Sequence, residues 1–181
     1  MINQNFFDEN ERVDLKKLEE FNAKVKLLDY LEATPVKHHT DATGYSETKL
    51  GERRNFNIEL KNRNLNLLDD GRISGCTKEG KPFTDNTIFI ESHKAADLLF
   101  DYLYGLEGLY INFLLDGHVL IFNLNNLKKR PVKTATMNIR SKGYNKFEVA
   151  KRQGLYLVDA AIFDKNGKLI KKAGQDFDGD K

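Results

Sequence analysis

The sequence predicts an α/β (α+β) fold, a mixed central β-sheet flanked by helices, on three observations. Residues 55–63 alternate apolar and polar side chains with the two-residue period of a strand covered on one face. Apolar positions recur at helical spacing over about 14–31 and again over 92–104. Near-continuous apolar runs on both sides of Asp116-Gly117 read as a hairpin covered on both faces. The chain has 181 residues, 40% hydrophobic and 31% charged, which suits one domain with a real core.

In chain order, residues 1–12 are polar around Phe6-Phe7 and read as a flexible arm. Asp14 is positioned to cap a first helix, with Leu18, Phe21, Val25 and Leu28 on one stripe and Glu32 at its end. After Pro35 come His38-His39-Thr40-Asp41; adjacent histidines on a strand face opposite ways and do not readily share one metal. A strand from Asp41 to Glu47 bends at Gly44. Gly51 and Arg53-Arg54 mark a turn, and a second strand follows over 55–63. On it Phe56, Ile58 and Leu60 take one face, and Asn57, Glu59, Lys61 and Arg63 the other. Glu59 and Lys61 are thus neighbours, with Cβ atoms about 7 Å apart. A hairpin of these two strands would bring Asp41 to Glu59, with Glu47 as an alternative partner.

Residues 64–86, with Asp69-Asp70-Gly71, Gly75, Gly80 and Pro82, read as turns and a hairpin-like excursion. Thr87–Glu91 is a third strand. Ser92 then caps a helix with Ala95, Leu98, Leu99, Tyr102 and Leu103 on its apolar face, stopped by Gly105. The hairpin of 109–115 and 118–122 turns at Asp116-Gly117 in the manner of a type I′ turn. Beyond Leu124 a connector holding Pro131 leads to strands at Thr134–Arg140 and Leu155–Phe163, and Asn166-Gly167 signals another hairpin.

Several classes are excluded. Cys76 is the single cysteine, so there is no disulfide framework and no thiolate-rich zinc site. No apolar run approaches the roughly 18 residues of a membrane helix, and the first residues lack the basic and apolar segments of a signal peptide. A cytoplasmic, intracellular setting without a membrane partner is expected. No phosphate-cradling glycine loop and no nucleophile elbow is present.

Charge is uneven although the net is only +2. Residues 128–152 carry nine Lys or Arg against one acid, Glu148, while residues 1–32 carry eight acids against five bases. Such a split favours a surface that faces a polyanion.

Asp41 followed by Glu59-Leu60-Lys61 on the next strand resembles the PD-(D/E)xK nuclease superfamily, the restriction-endonuclease-like fold. Thr40 stands where the fullest form of that motif has proline. The order helix, strand with Asp41, strand with Glu59 and Lys61, strand, helix, strand also matches the superfamily's α-β-β-β-α-β core. The resemblance implies a metal-dependent nuclease acting on DNA or RNA, DNA first. Its catalytic residues would be Asp41, Glu59 and Lys61. Mg²⁺ or Mn²⁺ would be held by Asp41, Glu59 and the Leu60 backbone carbonyl, with Glu32 as a further candidate ligand and Glu20 a weaker one. Glu91 and Lys94 would support the site. Nucleic-acid contacts would come from Arg53, Arg54, Arg63, Lys128, Lys129, Arg130, Lys133, Arg140 and Lys142. A homodimer is plausible by the same analogy. The expected organisation is a core over 1–124, a basic β-rich C-terminal extension over 125–172 packed on it, and a disordered acidic tail over 173–181. The alternative is a non-catalytic nucleic-acid-binding or protein-interaction module with the same fold.

Overall fold

The computed structural model describes residues 9–34, 40–77, 79–128, 134–140 and 147–177; side chains of 9–11, 134–140 and 147–151 are left aside. The fold is mixed α/β, a seven-stranded mixed sheet with two helices. Helix α1 spans Glu9–Val25. Strands β1 (Tyr30–Ala33), β2 (Ala42–Glu47) and β3 (Arg53–Arg63) follow as an antiparallel meander. Next come β4 (Asn66–Leu67), β5 (Ile73–Cys76) and β6 (Pro82–Asp85), a small sheet of their own. Strand β7 (Thr87–Glu91) leads into helix α2 (Ser92–Phe100) and a 3₁₀ turn at Asp101–Tyr104. Strands β8 (Leu106–Leu114) and β9 (Val119–Asn123) form the predicted hairpin, and β10 (Thr134–Arg140), β11 (Phe147–Tyr156), β12 (Ala161–Phe163) and β13 (Leu169–Lys171) end the chain.

The main sheet runs β1-β2-β3-β8-β9-β12-β13, with β3 and β8 parallel over nine residue pairs. Parallel neighbours need a crossover, and α2 supplies it. The alternation predicted for β3 divides the core in two. Phe56, Ile58 and Leu60 pack with Leu18 and Phe21 of α1, while the opposite face packs Tyr110, Leu120 and Phe122 under Leu98 of α2 and Ile88 and Ile90 of β7. Each of these large buried side chains contributes about 1.5–3 kcal/mol.

Several expectations are corrected. The first helix starts by Glu9 and stops at Val25, so Asp14 is not its cap and residues 9–12 are not an arm. Lys26 takes a left-handed conformation (φ 51°), and the Asn22 side chain bonds both the N–H and the carbonyl of Leu28, closing the helix without a glycine. Leu31 and Glu32 therefore lie on β1. Strand β7 pairs with β11 rather than joining the main sheet. Helix α2 has Glu91, not Ser92, at its N-cap, and Leu99, Tyr102 and Leu103 are exposed instead of forming its buried face. The turns at Gly117 and Gly167 are three-residue loops with a left-handed glycine at the third position, so the one at Gly117 is not the type I′ turn expected. The C-terminal stretch expected as a single strand breaks at a 3₁₀ turn, Leu157–Asp159. Residues 173–177 are packed: Phe177 lies against Gly71 and the core, and Gly174 N–H bonds the Val158 carbonyl at 2.7 Å. Among the described residues no helix is long and apolar enough to cross a membrane.

Candidate active site

Strand β2 begins at Ala42, opposite Ile58, so the next pair back along the register is Asp41 with Glu59. Asp41 N–H bonds the Ile58 carbonyl at 2.9 Å, and its carboxylate accepts the Leu60 N–H at 2.6 Å. The predicted hairpin thus joins Asp41 to Glu59. Because Leu60 N–H points toward β2, strand geometry turns the Leu60 carbonyl to the same side. Glu47 lies at the other end of the hairpin, opposite Arg53, and does not reach the site.

Glu59 was expected on a solvated strand face and is instead only 6% exposed. Helix α2 covers it: Lys94 Nζ stands 2.9 Å from each carboxylate oxygen. Burial first, and the Asp41 charge second, push the Glu59 carboxyl up to about 7 against the pull of Lys94 and Lys61. Burial works to lower Lys94, but Glu59, Asp41 and Glu91 outweigh it and leave the ammonium raised. Lys61, two residues on and on the same face, is exposed.

A crevice of about 20 Å³, room for roughly one water or ion, opens beside Glu59. Lys61, Glu91 and Lys94 line it, together with Arg63 and Arg152. Four cationic side chains thus surround a site holding two carboxylates of its own, beside Asp41. Among the described residues no three side chains of His, Cys, Asp or Glu form a metal-holding group. The donors that the register places side by side are the carboxylates of Asp41 and Glu59, with the Leu60 carbonyl turned toward β2. That set suits a hard cation that keeps waters; the raised Glu59 carboxyl reflects burial first and the Asp41 charge second.

Other sequence candidates lie elsewhere. Glu32 is at the exposed sheet edge, opposite Thr43, where it accepts the Tyr30 hydroxyl at 3.0 Å. It was expected at a helix end pointing to the metal; as a strand residue it joins no ligand group. Glu20 sits on the exposed side of α1, across the sheet from α2. Arg63, expected to contact nucleic acid, turns its guanidinium inward to Asn112, the Phe89 carbonyl and the Tyr110 hydroxyl. Arg54 forms a two-pronged pair with Glu107, and Arg53 stacks over Tyr45 at 3.7 Å. Lys128 is exposed and bonds the Gly174 carbonyl at 3.1 Å. Arg140 lies on β10 opposite Phe147, with its side chain outside the described set. His38, His39, Lys129, Arg130, Lys133 and Lys142 lie outside the described residues.

Three residues near the site went unremarked in the sequence reading. Tyr110 is beside Glu59 in the β3–β8 register and bonds the Phe89 carbonyl; burial pushes its hydroxyl up to about 12. Asn112, beside Lys61, is wholly buried with its amide nitrogen unpartnered. A lone Asn inside an apolar run is a signal the sequence did carry. Arg152, counted only as part of a basic stretch, faces Glu91 across β11 and β7.

No family model matches the chain, and no curated protein matches it. Among solved structures it is similar to Hjc of Archaeoglobus fulgidus, a Holliday junction resolvase from an archaeal hyperthermophile. The match has 11% identity and a TM-score of 0.43, and covers 80% of this chain and 84% of that one.

Proposed function

We propose that the chain is a metal-dependent nuclease of the PD-(D/E)xK type that hydrolyses phosphodiester bonds of DNA, with RNA as the alternative polymer. The observation that carries this reading is the register pairing of Asp41 with Glu59, with Leu60 N–H bonded to Asp41 and Lys61 on the Glu59 face. The order α1, β1, β2, β3, α2, β8 supports it as well, being the helix-and-strand order of a restriction-endonuclease-like core. In that frame β1, β2 and β3 are the three core strands, so β1 enters as the first and β7, expected as the third, drops out; residues 125–172 add a β-rich extension to the domain.

Mg²⁺ or Mn²⁺ bound by Asp41, Glu59 and the Leu60 carbonyl would supply Lewis acidity and a more acidic water. The rest falls to the chain's own groups. The Leu60 N–H fixes the Asp41 carboxylate, and Lys94 orients Glu59 and offsets its charge while it is buried. Lys61, exposed and adjacent, holds a phosphate oxygen and offsets the charge that develops on it. Arg152 and Lys94 add positive field around the crevice, which favours a phosphodiester over a neutral ligand.

One observation favours a second reading, a nucleic-acid binder without catalysis: the Lys94 ammonium already stands where a cation would meet Glu59. A single experiment separates the two. Labelled duplex, single-stranded and branched DNA, and RNA, are incubated with Mg²⁺ or Mn²⁺ beside EDTA, Glu59→Gln and Lys61→Met controls. Cutting that needs metal, Glu59 and Lys61 supports the nuclease; salt-sensitive binding that survives all three controls without cutting supports the binder.

A further inference from the structure

Beside the Glu59 crevice lies a larger groove of about 380 Å³, within the range of small-ligand pockets. Crevice and groove adjoin, since Arg63, Phe89 and Arg152 line both. Leu65, Ile88 and Phe83 complete the groove's apolar walls. The small β4-β5-β6 sheet supplies one side of it. Phe83, on β6, is opposite Gly75 on β5. A Cβ at Gly75 would stand 3.2 Å from the Phe83 ring and 2.6 Å from Leu65. Glycine there leaves room for the Phe83 ring, which lines the groove and remains 37% exposed.

We infer that this groove takes an unpaired nucleobase of the strand whose phosphate lies at Lys61 and Glu59. The inference rests on the nuclease reading, because it takes the crevice as the phosphate position. An apolar pocket with an aromatic wall fits a base, since every base has a face to stack and stacking tolerates any sequence. A base inside a paired duplex is turned toward its partner and cannot enter a side pocket without leaving the stack. The cationic crevice and the apolar groove together match a phosphate and its attached base. The substrate class that follows is single-stranded, flapped or branched nucleic acid rather than continuous duplex.

The test is equilibrium binding in EDTA, so that neither metal nor cutting enters. Two fluorescent single-stranded oligonucleotides of equal length are compared, one intact and one fully abasic, in deoxyribose and ribose forms. Both carry the same phosphates, so electrostatic attraction is common to them. The wild-type protein is expected to bind the intact strand about fivefold or more tighter than the abasic one. Phe83→Ala should lose most of that ratio and Phe83→Trp should keep it, each with a cooperative thermal transition to exclude unfolding. Equal binding of both strands by the wild type, or full discrimination by Phe83→Ala, would overturn the inference. Cutting without discrimination removes only the pocket, whereas discrimination without metal-dependent cutting removes only the nuclease reading.

Discussion

Glu59 is the residue on which stability and chemistry meet. Its carboxyl, raised from 4.5 to about 7, keeps its proton in the folded state over a pH range where the unfolded chain has lost it. The folded state therefore binds more protons between those values, and this group's contribution falls as pH rises from about 4.5 to 7. At about 1.4 kcal/mol per pKa unit the penalty above pH 7 is on the order of 3 kcal/mol. Glu59→Gln is expected to be at least as stable as wild type at pH 8, with the difference shrinking below pH 5, as read by urea unfolding across pH. A variant much less stable at pH 8 would mean that the Lys94 pair is a net stabiliser of the fold. Strand periodicity put Glu59 and Lys61 on one face, because a period of two fixes faces; the resemblance to the superfamily motif chose Asp41 over Glu47 as their partner. It could not reveal the burial of Glu59. That depends on where α2 lands, and Lys94 is 35 residues away in sequence.

Among the elements, α2 sets the geometry of the site. Lys94 near its start holds Glu59, and Asp101 just beyond its end bonds Asn57, so the helix runs opposite to β3 and is tied to it twice. Close contact is possible because Gly108 on β8 lies beneath Leu98. A Cβ there would stand 2.9 Å from the Leu98 Cβ and 3.1 Å from its carbonyl oxygen. Gly108→Ala should lift the helix, cost about 1–3 kcal/mol of stability, and draw Lys94 away from Glu59. Thermal unfolding reads the first effect. A cleavage pH profile displaced to higher pH reads the second, since Glu59 without its ammonium ionises later. The sequence made β2, β3, β8, β9 and α2 visible but misplaced α1 and ran it through β1. Leu28 and Leu31 continue its apolar stripe, and no glycine marks the end that Lys26 and Asn22 make. Turn glycines were read in the right places, but a left-handed third position and a type I′ turn leave nearly the same trace in sequence.

At the scale of the whole molecule, the sheet separates an α1 face from a face carrying α2, β7, β10 and β11, and the candidate site opens on the latter. Arg152 of β11 reaches the crevice, so the basic stretch 128–152 is joined to the site by covalent continuity. If six or more of its cations contact phosphates, affinity for a polyanion should fall by roughly 10³-fold or more between 50 and 200 mM salt. Anisotropy titrations at several salt concentrations measure this, and a shallow dependence would assign that stretch to folding instead. Charge asymmetry was readable from the distribution of Lys, Arg, Asp and Glu along the sequence. Its attachment to the site was not, because it comes from the β11–β7 pairing, a contact about sixty residues apart in sequence.

The most direct test of the metal site is a calorimetric titration of Mn²⁺ into the wild-type protein and Glu59→Gln at pH 6.5, in two buffers of different ionisation heat. Glu59 is largely protonated at that pH, so binding should release a proton and the apparent heat should depend on the buffer. Glu59→Gln should bind more weakly and release none. Binding that is indifferent to Glu59→Gln, or no binding by the wild type, would contradict a metal centre at Asp41 and Glu59.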